Sequence, residues 1–189
     1  HEMGVGAGAA PHRLAGIVHD IGKIAVPVEI LNKPGKLNSH EMGLIRTHPE
    51  VGFDILKDSN LPDHVAEIVL QHHERVDGTG YPHGTRNGDI RLESRILAVA
   101  DVVESMISHR PYRPGLGVEH ALGEIESGIG TRYDGEVVRV CIYLFRDGGF
   151  QKRHRIVACP FGGTGQCAKF TALSVDQQAG GHAECFADG

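Results

Sequence analysis

Between His12 and Arg146 apolar residues recur at three- and four-residue spacings, and no stretch alternates convincingly as a strand. That period is helical. The expected fold is therefore all-α, a compact bundle that buries one stripe of each helix. Leu14, Ile17, Val18 and Ile21 form the first stripe, with Gly22 and Pro27 as its stop signals. Residues 32–38 read as a turn, and Asn38 with Glu41 has the form of a capping box for a helix running to about Thr47. Pro49 suits the first residue of the next helix, which carries Val51, Ile55 and Leu56. Pro62 opens another, on which Val65, Ile68, Val69 and His72 share a face, so His72 should point inward. The longest signal covers 92–108, with Ile96, Val99, Ala100 and Val103 as its buried stripe and Asp101 beside it. Two more helices are expected over 117–127 and 134–146, the last capped by Asp134.

Organisation follows from where this pattern starts and stops. Residues 1–11 are rich in Gly and Ala and read as the end of a truncated upstream segment. Residues 12–146 form one domain, and 147–189 form an irregular, poorly ordered Gly-rich tail. The chain starts at His1 rather than Met, which suggests a piece of a longer protein. A net charge of -5 argues against binding to a nucleic-acid polymer or a membrane surface. No apolar run approaches a membrane span and no export signal is visible, so a cytoplasmic location is expected. Cys141, Cys159, Cys167 and Cys185 do not pair at short metal-ligand spacings. A zinc site of the last three with His182 would match no finger or ribbon pattern.

Thirteen histidines in 189 residues are an excess, and their placement gives it meaning. His19-Asp20, His48, His72-His73 and Asp101 each fall on or at the end of an expected helix, near an apolar stripe. Singly, an inward His is a hydrogen-bonded core residue and an Asp beside a stripe is a cap or a solvated group. Together, four imidazoles and two carboxylates on core-facing helices need compensation for their burial. Divalent metals supply it, because neutral imidazole and ionised carboxylate are their ligands. Six ligands suffice for two ions with positions left open.

His19-Asp20-Ile21-Gly22-Lys23-Ile24 resembles the signature of the HD superfamily of metal-dependent phosphohydrolases. His73-Glu74-Arg75-Val76-Asp77-Gly78-Thr79-Gly80-Tyr81-Pro82 is similar to the extension that defines its HD-GYP branch. Ile30 to Leu37, Thr47-His48-Pro49, Ala98 to Asp101 and Arg110-Pro111-Tyr112-Arg113 also resemble HD-GYP segments and occur in that family's order. The resemblance covers about 12–146.

It implies an HD-type helical bundle and metal-dependent hydrolysis of cyclic di-GMP to pGpG, with further cleavage to GMP open. The implied metal ligands are His19, Asp20, His48, His72, His73 and Asp101, with Asp20 bridging two ions. Iron or manganese is expected ahead of zinc, nickel or cobalt. Asp20 and Lys23 are the implied catalytic groups, Lys23 lying next to the scissile phosphate; Arg110 and Arg113 would clamp the ligand's phosphate. Gly80, Tyr81 and Pro82 would shape the pocket loop, a surface for GGDEF-type partner domains. A sensor or receiver domain is expected upstream, and a Glu and a His that hold a third metal in some members would lie before His1. The alternatives are an HD phosphohydrolase of another nucleotide, and a non-catalytic module that binds cyclic di-GMP or docks a partner.

Overall fold

The computed structural model describes residues 11–62, 64–108 and 115–147. Arg110, Arg113 and the tail from 148 onward, on which expectations were placed, lie outside the described residues. The elements run α1 (Pro11–Val18), a first 3₁₀ helix (Ile21–Ala25), α2 (Val28–Leu31), α3 (Ser39–Ile45), α4 (His48–Leu56), α5 (Val65–Gln71), a second 3₁₀ helix (Asn87–Asp89), α6 (Leu92–Ile107), α7 (Val118–Ser127) and α8 (Gly135–Arg146). Among the described residues there is no strand, only an isolated bridge between Ile129 and Tyr133. The fold is all-α.

The central member is α6, which packs against α1, α5, α7 and α8. Its Leu97, Val99, Ala100 and Val103 meet Ile68 and Val69 of α5, Leu122 and Ile125 of α7, and Val138 and Cys141 of α8 in one core. The Gln71 carboxamide ties the end of α5 to the start of α6. Its oxygen accepts from the Arg91 amide at 3.0 Å and Ser94 Oγ at 3.2 Å, while its nitrogen donates to the Asp89 carbonyl. The Asn38–Glu41 capping box is present. Asp134 caps α8, accepting from the Glu136 and Val137 amides.

Three local expectations are corrected. The first helix ends at Val18, and the chain then turns through His19 and Asp20 into a 3₁₀ helix, so Gly22 is not its stop. Pro27 stands at the head of the short α2. The buried face of α1 is Ala15 and Gly16, whereas Ile17 and Ile21 are exposed. Positions 15, 16 and 19 share one side of a helix, so turning Ile17 inward would turn His19 out. Finally, α5 begins at Val65 rather than at Pro62, after His64 takes a left-handed φ of 74°.

Candidate metal centre

Four chain corners meet on one side of α6. His19 and Asp20 sit on the turn after α1, His48 opens α4, His72 and His73 follow α5, and Asp101 lies within α6. Because α1 stops at Val18, its next two side chains both reach the same space. His19 Nε2 lies 3.6 Å from Asp20 Oδ2 and 3.8 Å from Asp101 Oδ1. The other Asp20 oxygen lies 3.6 Å from His48 Nε2. Ligand atoms of His48, His72 and His73 all fall within 4.8 Å of one another. All six side chains named from sequence therefore converge.

Gly22 makes the approach of the first 3₁₀ helix to α4 feasible. A Cβ there would collide with the His48 carbonyl and the Gly52 amide nitrogen, both backbone. Lys23, one residue on, places Nζ 2.6 Å from Asp20 Oδ2, at the rim of the cluster.

The imidazoles are aimed by their own helices. His19 Nδ1 donates to the Gly16 carbonyl at 2.9 Å, His48 Nδ1 to Ile45 at 2.7 Å and His72 Nδ1 to Val69 at 2.5 Å, each three residues back. A nitrogen that close to a carbonyl oxygen carries the hydrogen, so each neutral ring presents the Nε2 lone pair to the cluster. This fixes tautomer and ring orientation as the outer hydrogen bonds of metal-bound histidines do.

The contact between His48 and His72 tests whether a cation fits. Their Nε2 atoms are 3.2 Å apart, and both residues are fully buried. Two lone pairs at that distance repel unless a cation or a shared proton lies between them. Two nitrogens bound at about 2.0–2.1 Å to one ion would stand at a similar separation. Neutral nitrogens beside ionised carboxylates form a donor set for a first-row divalent ion.

Electrostatics keep the ligands in binding form. Burial, reinforced by His19, pushes the His72 pKa down to about 3. Burial likewise lowers His48 and, together with His72, takes His73 well below its ordinary value. For Asp101 burial favours the neutral acid, but the His19 hydrogen bond and the surrounding imidazoles outweigh it and hold the carboxyl far below the usual range. Asp20 is lowered too, because His19 and Lys23 more than offset its burial. His19 is the exception: Asp101 and Asp20 overcome its desolvation and raise its pKa.

One wall of the site is the loop after His73. The Tyr81 amide donates to the His73 carbonyl, and the Tyr81 ring stacks on the His73 imidazole with centroids 4.7 Å apart and planes 26° from parallel. Gly80 passes so near the Glu74–Arg75 backbone that a Cβ would strike it. Pro82 follows Tyr81 through a cis bond. Sequence reasoning missed Arg46, whose guanidinium carbon stands 5.4 Å from the Tyr81 ring centroid. It also missed Gln71, which aligns α5 with α6. Neither carries a periodic signal; Arg46 precedes His48 by two positions, and that proximity was the available clue.

Fold and site together define an HD domain, and the description "HD domain" matches residues 9–137. A cyclic di-GMP phosphodiesterase of Thermotoga maritima is 44% identical over 137 residues, covering 71% of this chain and 37% of that protein. One of Pseudomonas aeruginosa is 45% identical over 130 residues, covering 68% of this chain and 31% of its own length. Three relatives in Vibrio cholerae, 35 to 39% identical, are named 3'3'-cGAMP-specific phosphodiesterases. An HD-GYP protein of Bdellovibrio bacteriovorus shares the fold, with a TM-score of 0.56 and 21% identity over 68% of this chain and 41% of its own. The chain belongs to the HD domain family, and within that family it is an HD-GYP domain. It spans about a third of the length of the curated relatives it matches.

Proposed function

We propose that this domain is a metal-dependent phosphodiesterase that hydrolyses cyclic di-GMP to pGpG, with GMP as a further product. The observation that carries the reading is the pair of buried Nε2 lone pairs, 3.2 Å apart and ringed by two ionised carboxylates, in a chain whose relatives bear that activity in their names. His48, His72 and His73 form one group of donors, and His19 and Asp101 another, with one Asp20 oxygen near each side. This arrangement suits two first-row ions, iron or manganese ahead of zinc, nickel or cobalt, with Asp20 shared. Bound there, such ions would acidify water and offset charge on phosphoryl oxygens.

The chain's own groups supply the rest. The Nδ1 hydrogen bonds aim three imidazoles and set their tautomer, while burial keeps His48 and His72 neutral. Lys23 leaves Asp20 for a phosphate oxygen that enters the rim, adding a cation where negative charge develops. Tyr81 walls the pocket and narrows the water's approach. Arg110 and Arg113 would hold the ligand's phosphate, and the Gly80-Tyr81-Pro82 loop is a surface for GGDEF-type domains. A sensor or receiver domain upstream would regulate the site, and the whole would act in the cytoplasm. Protein loaded with Mn or Fe should convert cyclic di-GMP to pGpG on a chromatographic assay. No turnover with Mn, Fe, Zn, Ni or Co would refute the activity.

The cGAMP-specific relatives favour a second reading within the same chemistry, a mixed cyclic dinucleotide as substrate. Parallel assays with both cyclic dinucleotides separate the two. Binding without turnover would instead favour a receptor module.

A further inference from the structure

Glu74 follows the histidine pair directly and is only 3% exposed. Among the described residues, no lysine, arginine or histidine lies within ion-pair distance of its carboxylate. The neighbouring Arg75 turns away, donating to the Glu74 carbonyl and lying over the Tyr133 ring. A buried carboxylate without a cation is costly unless donors surround it. Its donors come from one place. Oε1 accepts from the His83 amide at 2.8 Å and, more distantly, from Thr85 Oγ1 at 3.4 Å; Oε2 accepts from the Thr85 amide at 3.0 Å.

These bonds close a ring of chain. The segment leaves Glu74, carries Gly80, Tyr81 and Pro82 past the pocket, and returns to the same carboxylate at 83 and 85. Gly80 touches the Glu74 backbone from within that ring. The Tyr81 amide is tied to His73, one residue before Glu74. Both backbone bonds to the carboxylate are charge-assisted and partly buried, which makes them stronger than bonds between neutral groups.

We propose that Glu74 is a positioning residue: its carboxylate holds the 74–85 loop shut and so keeps Tyr81 stacked on His73 as the substrate-facing wall. Glu74 touches neither the ligand cluster nor the substrate space; it acts through Tyr81. The consequence for catalysis rests on the cyclic-dinucleotide reading above, whereas the consequence for loop order does not.

Hydrogen exchange followed by mass spectrometry on the unmodified protein gives the first test. The His83 and Thr85 amides should exchange far more slowly than those of their exposed neighbours Arg86 and Gly88. Equally fast exchange overturns the proposal without any variant. The second test is Glu74→Gln, which keeps the size but sets an NH2 against one backbone N–H. Exchange in 80–86 should rise about tenfold, the order expected for losing one hydrogen bond to a charged group. Metal content by elemental analysis should stay at the unmodified level. KM for cyclic di-GMP should rise about tenfold while kcat falls less than threefold, and Glu74→Asp, which still reaches one amide, should recover part of both changes. Unchanged loop exchange in Glu74→Gln overturns the proposal, as does metal loss that parallels the activity loss. If neither protein turns over cyclic di-GMP, the substrate reading fails, and the exchange and metal measurements still decide the role of Glu74.

Discussion

At the scale of single residues, the centre is held by short-range devices. His72 has no titratable freedom near neutral pH, because burial and His19 hold its pKa at about 3. Its folded value lies below its unfolded value near 6.5, so the unfolded chain binds more protons between the two. In metal-free protein His72 therefore contributes stability that is full above about pH 6.5 and is lost as pH falls toward 3. His48 and His73 act in the same sense, while His19, whose pKa is raised, contributes oppositely and favours folding at the acid side of that window. Three groups outweigh one, so the melting temperature of chelated protein should drop steadily between pH 6.5 and 4. A flat profile in differential scanning calorimetry would contradict the electrostatic account. Substitutions give a second check. His72→Ala and Asp101→Asn should each weaken metal retention at least tenfold on elemental analysis. Asp20→Asn should lower kcat roughly 10²-fold or more.

At the scale of elements, close backbone approach decides where the ligands stand. The first 3₁₀ helix touches α4 through Gly22, with no room for a methyl group against the His48 carbonyl. Gly22→Ala should cost about 3 kcal/mol and lower the melting temperature by roughly 10 °C. Gly43, inside α3, has open space where its Cβ would be. Gly43→Ala should raise stability by up to about 1 kcal/mol, so thermal melts of the two variants should move in opposite directions.

These elements also show what could be read from the chain alone. The helix over 92–108, the Asn38–Glu41 box and the Asp134 cap are local signals, and all three stand in the structure, although Leu97 rather than Ile96 joins Val99, Ala100 and Val103 in the buried stripe. The six donors were legible because burying such side chains needs a common cause. The end of α1 was not legible, since periodicity through Ile21 masks a change of helix type at His19. The roles of Gly22 and Glu74 were hidden for a different reason. A glycine's need for space and a carboxylate's three donors depend on chain that is distant in sequence.

At the scale of the whole molecule, the helical core and the ligand cluster share α6, which carries Asp101 on one side and Leu97, Val99, Ala100 and Val103 in the core. Stability and metal occupancy are therefore linked. An ion at a thousand times its dissociation constant adds about 4 kcal/mol to the folded state. Chelation should lower the melting temperature by roughly 10 °C or more, and adding Mn should restore it. Equal melting temperatures with and without chelator would show that the cluster holds no ion tightly.

The donors at 19–20, 48, 72–73 and 101 divide the chain into three stretches of nearly equal length, of 27, 23 and 27 residues. Closing any one of them costs about 3 kcal/mol of chain entropy, and no stretch is much dearer than the others. Two cations gripped by donors from these four corners would together work as a cross-link, much as cystines do in small secreted proteins. With such even spacing, an unfolded chain can gather its corners around that cross-link in any order, and none of the three segments becomes the slow one.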